Sequence, residues 1–221
     1  MTTILTSSRL SRLAAYPHLS SSWHYLSAAI LSVCNHPQEI PALYKYAMEV
    51  TPKEDHARVT SEMRESLLKA AALIGLPRTI NSLTELKNVT PEELRLDEPL
   101  RSDDTDFEKV GESFFAKVYG KITKRIHYQL HTAYPDLNWF IIKHEYGPLL
   151  SFTKILGAKE TSLVVVASLV PQDVNPQLKG HLKGAVNNGS SVEEVNSVRD
   201  MAIELSQWCG VQPWRSEVAK L

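Results

Sequence analysis

The side chains in this 221-residue chain that could carry chemistry are few and scattered. Its 2 cysteines, Cys34 and Cys209, stand far apart with no C-x-x-C. The sequence therefore provides neither a disulfide framework nor a thiol-based zinc site within one chain, and both residues read as small core fillers. Such sparse cysteine also fits a reducing, intracellular address. Among the 8 histidines, only His127 and His131 have the i, i+4 spacing of a helix-borne metal pair. Tyr128 follows His127 where a zinc metalloprotease needs glutamate, so neither a metal site nor a cofactor is expected. Glycine-rich phosphate loops and serine-hydrolase elbows are absent. Two proton carriers stand out by position: Glu160, which opens the most apolar run of the chain, and His181, which lies among glycines and lysines.

Composition narrows the setting for any such chemistry. With 43% hydrophobic and 22% charged residues, the chain can bury a core and is not a disordered polyelectrolyte. Because 24 Lys and Arg face 25 Asp and Glu, no general field favours a polyanion, and nucleic acid is not an expected partner. The longest apolar stretch, Leu163 to Val170, is far shorter than the ~20 residues a membrane-spanning helix needs. No acid precedes Glu39, and Arg9 and Arg12 lie among serines and leucines, as in a mitochondrial transit peptide. Against that alternative, Trp23, Tyr25, Leu26, Ile30 and Leu31 form the apolar face of a folded helix. The last residues, Ala219-Lys220-Leu221, resemble the S-K-L address and imply delivery to the peroxisomal matrix by an import receptor.

The elements that must position these groups are helical. Thr51-Pro52-Lys53-Glu54 and Thr90-Pro91-Glu92-Glu93 each read as a capped helix start, and a third follows Asn187-Asn188-Gly189, capped by Ser190 or Ser191 with Glu193 or Glu194 closing the box. Val110, Phe114, Val118, Ile122 and Ile126 recur every four residues and predict one long amphipathic helix over about 107–133. The stretch from about 87 to 106, rich in acids including Asp97, Asp103 and Asp106, reads as a solvated connector. A shift of 135 positions lays Pro41, Leu43, Arg64 and Gly75 on Pro176, Leu178, Arg199 and Gly210. The expected organisation is one all-helical domain over 1–221. It holds a first repeat at about 24–86, the connector, the long helix, a second repeat at about 140–214 and a targeting tail at 215–221. With no second strand to pair with, Leu163 to Val170 is expected as a fully buried helix.

On Lys159-Glu160 with its apolar run, Leu178-Lys-Gly-His181-Leu-Lys-Gly-Ala185-Val-Asn-Asn188-Gly189, Glu193-Glu194-Val195 and Ala202 to Gly210, the chain resembles the carboxymuconolactone decarboxylase and alkylhydroperoxidase D superfamily. The first half echoes the ending in Leu67 to Arg78. The resemblance covers about two thirds of the chain. It implies an all-α, alkylhydroperoxidase D-like bundle built from two related helical repeats, and an intertwined homo-oligomer.

In the peroxidase branch of that superfamily a glutamate precedes C-x-x-C and a histidine. Here, counting forward from Glu160 reaches Gln172 and Asn175, and counting back from His181 reaches Val174 and Gln177, so dithiol peroxidase activity is not expected. The decarboxylase branch needs no thiol and acts on small organic acids or lactones by proton transfer. By type, Glu160 and His181 fit the catalytic roles that resemblance implies, with Lys179, Lys183, Arg199 or Arg78 as cations for a substrate carboxylate. The alternative is a catalytically silent member that acts as a binding or assembly protein. Shifted by 135, His181 falls on Tyr46 and Glu160 on Tyr25, so any site belongs to the second repeat.

Overall fold

The computed structural model describes residues 3–102, 104–211 and 214–221; Asp103 of the connector and Pro213 near the expected tail fall outside them. Among the described residues every regular element is helical. Two helices form the centre, α2 (Trp23–Val33) and α9 (Ala158–Leu169). Every residue of α2 and all of α9 from Thr161 onward is buried, as expected of helices that are apolar or small on every face. Leu163 to Val170 thus lies in buried helix, continued by the 3-10 turn Val170–Gln172. Around this pair stand α1 (Ser7–Ala14), α3 (Ile40–Val50), α4 (His56–Ile74), α5 (Leu76–Val89), α10 (Asn175–Asn187) and α11 (Val192–Trp208). α2 packs on α9, and both α4 and α11 touch each of them.

Chain starts and stops explain much of this layout. Ser191 caps α11 as expected, its hydroxyl accepting from the Glu194 amide (3.1 Å) while the Glu194 carboxylate accepts from the Ser191 amide (2.9 Å). The two Thr-Pro starts behave differently. Lys53–Asp55 forms a 3-10 turn that runs into α4, without a threonine cap. At the other site α5 continues to Val89, so Thr90 closes that helix, its hydroxyl donating to the Leu86 carbonyl (2.7 Å), and only the 3-10 turn Glu92–Leu94 follows.

The single helix expected over 107–133 is interrupted. α6 (Phe107–Tyr119) ends at Gly120, whose φ of +53° suits glycine, and after the turn Gly120–Ile122 the chain resumes as α7 (Thr123–Ala133) and α8 (Pro135–Phe140). A four-residue apolar repeat passes through such a break unchanged, which is why the spacing conceals it. Beyond α8 lies a π-helical segment, Ile141–Leu150, that packs along α6. The two come close because Gly111 and Gly147 lack side chains: a Cβ on Gly111 would strike the Ile142 carbonyl, and one on Gly147 would strike Phe107.

The first described residues are tied to the body. Leu5, Leu10 and Leu13 are buried, and the amides of Ile4 and Leu5 donate to the buried Glu39 carboxylate at 3.0 and 2.9 Å. Residues with the composition of a transit peptide are therefore part of the core. The connector is anchored as well. Arg101 reaches Glu65 (2.6 Å) and the Pro148 carbonyl (2.8 Å), and its guanidinium lies over the Phe152 ring.

Candidate functional site

α10 begins with Asn175-Pro176, a first-turn proline whose missing N–H costs no helical hydrogen bond. Its Gly184 lets α6 approach, since a Cβ there would strike Val118, while Tyr119 lies in ordinary contact beside Gly180. This crossing, together with the start of α7, encloses a groove of about 930 Å³. Ile122, Ile126 and Leu130 contribute apolar surface, and four exposed cations line it: Lys179 and Lys183 from α10, Lys121 and Arg125 from the opposite wall. Each pair is spaced i, i+4 and so shares a helical face. No acid lines the groove, and none of the four cations has an ion-pair partner among the described residues. The arrangement suits a molecule with an apolar body and an anionic end.

Behind the groove wall lies His181. Its Nε2 is 3.3 Å from the hydroxyl of Tyr119, a residue that lines the groove, and the two rings meet edge to face. Burial pushes the imidazole down to about 4, because a charged ring would lose its water there without gaining a counter-charge. His181 is therefore neutral near pH 7 and able to accept the Tyr119 proton. Burial raises the Tyr119 phenol in turn, and raises Tyr146 further. The Tyr146 hydroxyl approaches that of Tyr119 closely enough to influence its acidity, yet it lacks a hydrogen-bond partner of sound geometry. The Glu145 Oε2 beside it in sequence is also buried and unpartnered, and its carboxyl is raised by burial.

Glu160 occupies a different setting. It is the third residue of α9, and its Oε2 folds back over Gly157, filling the space a Cβ there would need. A carboxylate so placed complements the positive end of the helix. No hydrogen bond joins Glu160 to His181 among the described residues. Arg199 also lies apart from the lysines: its guanidinium donates to the carbonyls of Val218 (2.7 Å) and Ala219 (2.8 Å) and pairs with Asp200. Arg78 donates to the Val33 carbonyl at 2.6 Å. Of the four cations the sequence nominates, Lys179 and Lys183 reach the groove. Both ring nitrogens of His127 are engaged, Nδ1 with Asn138 (2.9 Å) and Nε2 with Glu112 (3.1 Å).

Tyr119, Tyr146, Lys121 and Arg125 escape sequence reasoning. Tyr119 is adjacent to Val118 in the apolar stripe, and Lys121 and Arg125 carry no motif of their own. After the break at Gly120, Lys121 and Arg125 line the groove together with Tyr119, the residue that meets His181.

No family model matches the chain. It is 38% identical to Peroxisomal protein 2 of Saccharomyces cerevisiae over the full length of both. It is 42% identical to Peroxisomal protein 2 of Schizosaccharomyces pombe, across 86% of this chain and 87% of that protein. At that identity and coverage, the chain belongs to the Peroxisomal protein 2 family.

Proposed function

We propose that this chain is a peroxisomal, two-repeat, carboxymuconolactone decarboxylase-like protein that binds a small organic acid or lactone in the α6–α10 groove and moves a proton on it. The observation that carries the reading is the groove itself, four unpaired cations and no acid around an apolar lining, with a neutral imidazole hydrogen-bonded to its Tyr119. In this reading Lys179 and Lys183 hold the carboxylate. Tyr119 and His181 exchange the proton. Glu160, the other catalytic candidate, is assigned to holding the start of α9.

The two-repeat, alkylhydroperoxidase D-like part of the proposal is supported by element positions. Shifting by 135 carries the starts of α2 and α3 onto those of α9 and α10, and the start of α4 to within one residue of that of α11. Gly75 and Gly210, which follow α4 and α11, have φ of +79° and +80°. Contacts are reciprocal too, since α2 meets α11 as α9 meets α4. The peroxisomal address is supported by the names of both relatives and by the resemblance of Ala219-Lys220-Leu221 to a receptor-read signal. Lys220 and Leu221 are exposed, whereas the Ala219 amide donates to Asn175 (2.8 Å), so a receptor reading all three must draw Ala219 off the body.

Calorimetric titration with small carboxylic acids and lactones, followed by product analysis, tests the proposal. Lys179→Gln and Lys183→Gln should each weaken acid binding about five-fold, corresponding to ~1 kcal/mol for one charge pair near the surface. His181→Gln should abolish turnover and Glu160→Gln should retain it. Binding that is indifferent to both lysines removes the assignment.

A second reading, assembly into a homo-oligomer, is favoured by the arm formed by α7 and α8. Tyr128 is 70% exposed, Trp139 52% and Phe140 46%, an apolar display that folded monomers seldom leave uncovered. Light scattering should give an oligomer for the unaltered chain and a monomer for Trp139→Lys/Phe140→Lys. A monomer in both cases refutes it.

A further inference from the structure

The cysteines are separated in sequence but meet in space. Cys34 is the C-terminal cap of α2 and Cys209 that of α11, two helices that pack side by side. The Cys34 Sγ lies 3.8 Å from the hydroxyl of Ser206, which stands one turn before Cys209 on the same face of α11. His36, two residues beyond Cys34, binds the Cys209 carbonyl through Nε2 at 3.1 Å, tying the two helix ends together. Both thiols are half-buried, neither sealed in the core nor open. Both pack against the core, as small core fillers do, but at adjoining helix ends, since distance along the sequence does not limit distance in the fold.

Their protonation is unequal. The neighbouring Cys209 thiol, with smaller help from Ser206 and the Arg78 guanidinium, holds Cys34 below the ordinary thiol value against the effect of burial, and the same proximity pushes Cys209 up. Arg78 is fixed beside Cys34 by its bond to the preceding carbonyl, that of Val33. Helix C-termini disfavour a thiolate, so this cation opposes the local dipole.

We propose that Cys34 and Cys209 form a redox couple that closes to an intramolecular disulfide at the expense of a hydroperoxide. The Cys34 thiolate attacks the terminal peroxide oxygen; an S–O bond forms, the O–O bond breaks, and the departing alkoxide takes the proton released by Cys34. Cys209 then attacks the sulfenic sulfur; the S–S bond forms, the S–O bond breaks, and hydroxide leaves as water with the Cys209 proton. Two thiols and one hydroperoxide give one disulfide, one alcohol and one water, a transfer of two electrons. The site is separate from the His181 groove and does not depend on its assignment.

Treating the purified full chain with one equivalent of hydrogen peroxide, then denaturing and alkylating it with N-ethylmaleimide, gives a direct readout by intact mass. The reduced protein should take up two maleimides. The oxidised protein should take up none, be lighter by two hydrogens, yield a joined Cys34–Cys209 peptide on non-reducing digestion, and return to the first state with dithiothreitol. Cys209→Ser should stop at a Cys34 sulfenic acid that dimedone traps, and Cys34→Ser should leave Cys209 alkylatable. Two alkylatable thiols after peroxide treatment, or disulfides found only between chains, overturn the proposal. Because the wild-type result needs no substitution, a variant that fails to fold leaves the test intact.

Discussion

Acidification tests the neutral state assigned to His181. In an unfolded chain this imidazole titrates near 6.5, and in the folded protein burial brings it to about 4. Between those values the unfolded state binds the proton and the folded state does not, so stability rises with pH across the window. The contribution is complete above about pH 6.5 and is lost as pH falls toward 4. At about 1.4 kcal/mol per unit, the shift corresponds to up to ~3 kcal/mol. Carboxylates titrate in the same range, so the informative quantity is the difference between wild type and His181→Gln, whose amide can still accept from Tyr119. Urea unfolding at intervals from pH 7 to 4.5 should show wild type losing ~2–3 kcal/mol more than the variant. Parallel stability curves, or an imidazole resonance of His181 titrating near 6.5, refute the reasoning, and with them the claim that a neutral base stands behind the groove.

Two other substitutions test the packing that holds the site. Gly111→Ala places a methyl against the Ile142 carbonyl at the α6 crossing, a backbone contact that cannot yield; a loss of ~1–3 kcal/mol is expected, read as a fall in Tm of roughly 3–10 °C by calorimetry. Glu65→Gln removes the charge shared by Arg101 (2.6 Å) and Lys69 (3.5 Å), leaving the buried Lys69 ammonium with the carbonyls of Leu149, Leu150 and Phe152. Burial already lowers Lys69 to about 8, so a cost of ~3–5 kcal/mol in chemical denaturation is expected, smaller above pH 8 where the amine is neutral.

The all-helical class was legible because the apolar runs that make α2 and α9 have few other ways to be buried, and because a serine followed by Glu193 and Glu194 marks a helix start whose cap the structure assigns to Ser191. Helix interiors announce themselves by side-chain period. Interruptions depend on single backbone angles, and Gly120 carries no sign in the stripe of the direction in which α7 departs. The same limit applies at the site. Lys179, His181 and Lys183 could be named from one segment. Their opposite wall could not, because Tyr119, Lys121 and Arg125 become relevant only through a crossing of helices distant in sequence. The two cysteines illustrate the converse limit: residues far apart in sequence cap two helices that pack side by side, and spacing alone carries no sign of it.

The proposed duplication explains a shared core better than it explains a site. In the first half, Tyr46 stands where His181 stands in the second, and it meets Ser11 of α1 (3.1 Å) and the Trp23 ring. The helix that carries it, α3, is covered by α5, whereas α10 is crossed by α6. α6, α7 and α8 follow the first repeat and have no counterpart within it. The groove, its cations Lys121 and Arg125, and the Tyr119 contact to His181 all come from that unduplicated insert meeting one repeat. An equivalent imidazole introduced at Tyr46 would thus face Ser11 and Trp23 instead of Tyr119 and the cation-lined groove, and the chemistry proposed for the second half would not appear in the first.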